Sequence, residues 1–274
     1  MDFAILLPLL ILLLVSSAFA GILAGLLGVG GGIVLVPVFF YIFSWLGFDG
    51  SMLMQVCLAT SLGTIILTSL RSVQAHNKRG AVDWAILKSW APGIVIGAIL
   101  GVTVAAGLRS DALEVIFGVL AGIIGLYLAF GRDSWRLGAA MPTGAVRLGL
   151  SPTVGFMSVL MGIGGGSFGV PLMTLFSVPM HRAVATAAGF GVLIAVPSVI
   201  GFLFLNVPDA PPLTIGAVNI PAFVIAVSMT LITAPIGAKL AHSLPAKSLK
   251  RVFGIFLLIV GANMLRQPTF PKWP

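Results

Sequence analysis

The sequence predicts an all-α polytopic membrane protein, and three observations carry that prediction. Hydrophobic residues make up 59% of the chain, charged residues only 8%, and the mean hydropathy is +1.16, whereas soluble domains carry about 25% charged residues. The apolar residues lie in long continuous runs, not in the alternating segments of about ten that build a membrane barrel. The two halves of the chain also repeat one another. This composition excludes a soluble globular domain and a disordered chain. The 34 glycines and 17 prolines follow no G-X-Y period, which excludes collagen.

Ten helical elements can be marked in order. The first run, residues 3–27, reads as a retained helix: Asp2 is its only early charge, and its apolar stretch exceeds the 7–15 residues of a signal peptide. Runs 53–73, 84–106, 112–130, 183–205 and 213–241 have the roughly 20 residues a bilayer crossing needs. Runs 148–161 and 249–264 open and close the second half. Runs 33–46 and 167–176 are too short to cross about 30 Å of hydrocarbon at about 1.5 Å per residue. The most polar interior stretch, 131–147, reads as a cytoplasmic linker between a first repeat (1–130) and a second (148–274). Trp45, Trp84, Trp90 and Trp135 fall near segment ends, as an interfacial belt requires.

The repeat is explicit. Residues 21–37, GILAGLLGVGGGIVLVP, align with residues 155–171, GFMSVLMGIGGGSFGVP, at an offset of 155 − 21 = 134. CLATSLG at 57–63 resembles AVATAAG at 183–189, and GAVD at 80–83 matches GAVN at 216–219. With the N-terminus outside, 12 of the 15 Lys and Arg fall in or beside the cytoplasmic connections, leaving Arg109, Arg266 and Lys272 outside. Each half has an odd number of elements, so the second should be inverted relative to the first. Equivalent connections carry opposite charge bias, as inversion demands: Lys78 and Arg79 match a connection holding only Asp209, and Asp111 and Glu114 align with Lys247 and Lys250.

The net charge of +8 orients membrane segments and does not indicate nucleic acid. The single cysteine, Cys57, lies inside an apolar run, which excludes a disulfide framework or a cysteine metal site. The three histidines have no metal-ligand spacing, and no cofactor is implied. No nucleophile–base set appears, so an enzyme is not expected. No carboxylate lies mid-segment, where proton-driven transporters commonly hold one.

The chemistry points to the repeated glycine runs. Consecutive glycines cost about 1 kcal/mol each in a helix interior relative to Ala, so Gly30, Gly31 and Gly32, and likewise Gly164, Gly165 and Gly166, should break the helix. Pro37 and Pro171 would then sit in the first turn of a new short helix. Each break should be recessed in the membrane and buried in protein or water. A helix N-terminus there offers unpaired N–H groups and about half a positive charge, which suits an anion. Thr60, Ser61, Thr64 and Thr186 on the following helices could add hydroxyl donors, and Ser167 could cap its short helix. Arg71 is the most embedded arginine and could gate the inner mouth; snorkelling is the simpler account of it. Gln55 and His181 read as interfacial.

GVGGGIVLVP, its repeat GIGGGSFGVP, and HNKRGAVDW after the third segment resemble the TauE/SafE family of membrane transporters. The resemblance implies export of sulfite, sulfoacetate or related sulfur-containing oxyanions across a bacterial cytoplasmic (inner) membrane. The expected partners are that small anion and the lipid bilayer. A channel or a permease subunit of a larger assembly is the alternative.

Overall fold

The computed structural model describes residues 3–27, 31–131, 135–241 and 246–266. These residues form ten helices: α1 (Phe3–Leu27), α2 (Gly32–Trp45), α3 (Leu53–Asn77), α4 (Trp84–Gly107), α5 (Ser110–Phe130), α6 (Gly144–Leu160), α7 (Gly166–Leu175), α8 (Met180–Leu203), α9 (Ile220–Ala241) and α10 (Ala246–Arg266). Six of them, α1, α3, α4, α5, α8 and α9, contain spans long and apolar enough to cross a membrane. The all-α polytopic class is therefore observed, with α2 and α7 short.

One element starts later than the sequence suggests. The ninth apolar run begins near residue 213, but its first residues form a two-stranded antiparallel hairpin, β1 (Thr214–Ile215) and β2 (Val218–Asn219), with Thr214 opposite Asn219. Gly216 turns the hairpin at φ 59°, and a Cβ there would run into the Leu203 backbone. Asn219 then starts α9, its side-chain oxygen accepting from the Ala222 N–H at 3.1 Å. Asp83 starts α4 in the same way, accepting from Ala85 and Ile86, both at 3.1 Å. Such caps contribute about 1 kcal/mol each.

Helix pairing repeats between the halves. α1 packs on α9 and α6 on α4; α2 lies on α3 and α7 on α8; α3 touches α9 and α8 touches α4. α3 packs on α8, and α5 on α10. Glycines make the closest crossings, as expected where lipid gives no hydrophobic drive between helices. Gly118 faces the Gly261 carbonyl and Gly125 the Gly254 carbonyl, so α5 and α10 run antiparallel. Gly21 of α1 meets the Thr230 backbone of α9, while its repeat equivalent Gly155 of α6 meets the Ile94 backbone of α4.

The connections gather at two ends. At one, the Ser110 N–H reaches the Ser51 carbonyl at 2.8 Å, and Gly50 lies against the Pro208 and Asp209 carbonyls. At the other, Arg182 pairs with Asp83 at 3.1 Å, and the Leu137 N–H reaches the Leu175 carbonyl at 2.7 Å. Trp45, Trp84 and Trp135 are exposed. Trp90 is not part of a surface belt: it is buried and stacks on Phe190, at the interface of α4 and α8. Gln55 is likewise buried, donating to the Ala105 and Leu108 carbonyls that end α4.

Candidate functional site

The second glycine run is built by ending one helix and starting another. α6 closes with Ile163 N–H bonded to the Ser158 carbonyl and Gly162 N–H to the Val159 carbonyl, both at 2.9 Å, with Gly162 at φ 60°. This pair of bonds around a left-handed glycine is a standard helix stop. Three residues later α7 starts at Gly166, after Gly165. In the first run the described part is the helix start: Gly31 precedes α2 with φ 75°, and its carbonyl accepts from Val34 and Leu35 at 3.1 and 3.2 Å. Gly30 lies outside the described residues. Pro37 and Pro171 fall in the second turn of α2 and α7, not the first. There each removes the bond that the carbonyl four residues earlier would accept, at Ile33 and Ser167.

The two breaks adjoin. Ser61 Oγ on α3 donates to the Gly162 carbonyl at 2.7 Å. A Cβ at Gly32, the first residue of α2, would lie 2.5 Å from that same carbonyl oxygen and 2.8 Å from Ser61 Oγ. Gly162 itself is wedged against the first half: a Cβ there would lie 2.8 Å from Val36 and 2.9 Å from the Leu58 Cα. Gly164, Gly165 and Gly166 are all buried. Gly165 packs on Phe190 and the Ala187 carbonyl, and Phe190 is backed by Trp90.

The two short helices differ in what faces their first turns. At α2 the neighbour is a carbonyl oxygen, that of Gly162, whose negative end meets the positive end of the helix. At α7 the neighbour is a hydroxyl. Ser167 is 2% exposed, and its Oγ has no hydrogen-bond partner. It does not cap α7, because it lies inside the first turn and no side chain bonds there. The first N–H groups of an α-helix have no intrahelical partner, so those of Gly166 and Ser167 find no acceptor within α7.

The other candidate hydroxyls are engaged in structure. Thr64 Oγ1 donates to the Ser61 carbonyl at 2.7 Å, the local bond that threonine commonly makes in a helix. Thr60 Oγ1 accepts from the Asn219 N–H at 3.0 Å, and Thr186 Oγ1 from the Asp83 N–H at 2.9 Å. Each threonine therefore holds the helix-starting residue of the opposite half. That role was not legible in the sequence, although the matching of Thr60 with Thr186 and of Asp83 with Asn219 was.

Charge is sparse in the interior. Arg71 is exposed on α3. Among the residues whose side chains are described, the one buried charged side chain is Glu114, in the second turn of α5. No Lys or Arg is buried among the residues whose side chains are described, so N–H dipoles, hydroxyls and the amides of Gln55 and Asn219 are the buried donors there. No group of three or more His, Cys, Asp or Glu suited to a metal occurs among the described residues. Cys57 is a buried free thiol.

Known proteins resemble this chain along its length. A probable membrane transporter protein of Haemophilus influenzae is 30% identical, over 93% of this chain and 97% of its own length. Proteins of the same description from Methanocaldococcus jannaschii and Bacillus subtilis are each 27% identical, over 96% and 95% of this chain and 97% and 98% of their own. No solved structure matches. Residues 13–264 match the family described as sulfite exporter TauE/SafE. With its helical membrane architecture and paired glycine–proline breaks, the chain belongs to the TauE/SafE family of membrane transporters.

Proposed function

We propose that this transporter is a secondary exporter of small sulfur-containing oxyanions, such as sulfite or sulfoacetate, and that the anion is held at the N-terminus of α7. The observation that carries this reading is the buried, unpartnered Ser167 hydroxyl in the first turn of α7, where the N–H groups have no acceptor within the helix. An oxyanion would supply the acceptors those donors lack. Gly164 leaves the backbone bare for a ligand, Gly165 lets that break pack on Phe190, and Ser61 fixes it through the Gly162 carbonyl. Gly31 and Gly32 bring the start of α2 against the Gly162 carbonyl from the other half, and Gly30 completes the run in sequence. Thr60 and Thr186 act at one remove, by joining α3 to α9 and α8 to α4, and Thr64 bonds its own helix beside Ser61.

The halves are proposed to be inverted about this site. The antiparallel packing of α5 on its repeat partner α10 supports that, as does the exchange of helix pairs between halves. The basic end carrying Lys78, Arg79 and Arg182 is assigned to the cytoplasm, with the N-terminus outside and the protein in a cytoplasmic membrane. Arg71 lies toward that end of α3 and adds positive charge there.

Purified protein in liposomes should move sulfite or sulfoacetate down an imposed gradient, and Ser167→Ala should weaken sulfite binding about tenfold or more, since a hydrogen bond to a charged group contributes about 1.5–3 kcal/mol. The variant removes one oxygen from a buried site and should stay folded. Folded protein with no flux across a panel of sulfur oxyanions would instead favour a subunit that needs partners.

A further inference from the structure

One aspartate ties the two halves together at the basic end. Thr186 lies one turn after Arg182 on α8, and both hold Asp83: Thr186 Oγ1 accepts its N–H at 2.9 Å, and Arg182 Nη2 lies 3.1 Å from its Oδ2. Asp83 Oδ1 meanwhile caps α4. The equivalent arrangement at the other end is neutral. Thr60 accepts from the Asn219 N–H, Asn219 caps α9, and the residue one turn before Thr60 is the buried Val56.

That comparison isolates what the charge at residue 83 is for. Asparagine performs the cap and the N–H bond at position 219, with its Nδ2 donating to the Pro212 carbonyl and Thr214 Oγ1 at 3.0 Å, so neither needs a carboxylate. The carboxylate at residue 83 has in Arg182 a charged partner that Asn219 lacks. The pair is a weak tether, because its side chains are 20% and 52% exposed, and solvent-screened pairs contribute little. A guanidinium fork fits a carboxylate or another oxyanion by the same bidentate geometry. Its surroundings are basic: Lys78 and Arg79 follow α3, and Arg79 and His181 both lie close enough to His76 to influence it electrostatically. Arg182 is also eight residues along α8 from Phe190, which backs Gly165, or about 12 Å of helix.

We infer that Arg182 is a second anion-binding residue, at the end of the bundle where α3, α4 and α8 meet, and that Asp83 occupies its guanidinium until a passing sulfur oxyanion displaces the carboxylate. This rests on the reading of the chain as an oxyanion transporter. The substrate would exchange with Asp83 on Arg182 as it passes between this mouth and the Ser167 site. Releasing Asp83 separates Arg182 on α8 from the start of α4, while the Thr186 bond and the helix cap persist.

Sulfite binding to the full-length protein in detergent, at constant ionic strength set with chloride, tests this. Asp83→Asn keeps the cap and frees Arg182, so it should tighten sulfite binding severalfold; Arg182→Gln should weaken it about tenfold, and Arg182→Lys should fall between. All three should melt close to the parent. Unchanged binding in both Asp83→Asn and Arg182→Gln would reduce the pair to a surface contact and overturn the inference. So would equal weakening in both with lowered melting, which marks a purely structural tie. A parent protein that binds no sulfur oxyanion overturns the transport reading itself, and this inference with it.

Discussion

At the scale of single residues, the glycines of the two breaks are not interchangeable. Gly31 needs its left-handed φ of 75°, and a Cβ there would lie 3.0 Å from the Ala20 carbonyl. Gly165 has an ordinary helical φ of −63° but no room, since Phe190 and the Ala187 carbonyl fill the space a side chain would take. A leucine at either position therefore tests packing before it tests binding. Gly165→Ala and Gly32→Ala should each lower stability by about 1–3 kcal/mol through overpacking, read as a lower melting temperature in detergent. Ser167→Ala should leave melting nearly unchanged while it lowers anion affinity. Parent-like melting in both glycine variants would mean that these contacts relax freely and that the glycines serve the ligand alone.

At the scale of elements, two hydroxyls join helices that the chain order keeps apart. Thr60 connects α3 to the start of α9, and Thr186 connects α8 to the start of α4. Replacing either with valine keeps the shape and removes the acceptor, which leaves a backbone N–H at a helix start without its partner. A buried unsatisfied donor costs about 1–3 kcal/mol. Thr60→Val should be the more damaging, because Asn219 is 3% exposed whereas Asp83 lies nearer solvent. Denaturant or thermal unfolding of the two variants, side by side, checks both the size and the order. Equal and negligible losses would remove the threonines from the account of how the halves are held.

At the scale of the whole molecule, the connections gather at two ends of different charge bias. Lys78, Arg79 and Arg182 cluster at one, and Asp49 and Asp209 at the other. If the halves are inverted across a bilayer, cysteines introduced at Lys78 and at Ala210 should be labelled from opposite sides of intact cells. Ala210 is chosen over Asp209 because the φ of 54° at Asp209 suits few side chains. The native Cys57 is fully buried and should stay silent. Labelling of both positions from one side would exclude the inverted arrangement.

The sequence by itself determined the membrane class, the number and order of the helices, the two short ones and the repeat. These follow from run length, charge spacing and glycine density, which are local or periodic properties of the chain. It also marked both glycine runs as breaks, because glycine weakens a helix whatever surrounds it. Only the tertiary structure decided which polar groups remain available. Thr60, Thr64 and Ser167 look alike as hydroxyl residues near a break, yet one accepts from a distant N–H, one bonds its own helix and one is left with no partner. The meeting of Gly32 with the Gly162 carbonyl, and of Arg182 with Asp83, likewise joins positions about a hundred residues or more apart. Hydrogen bonds act over about 3 Å, and which groups come that close is fixed by how α3 and α8 pack, which no local pattern in the chain encodes.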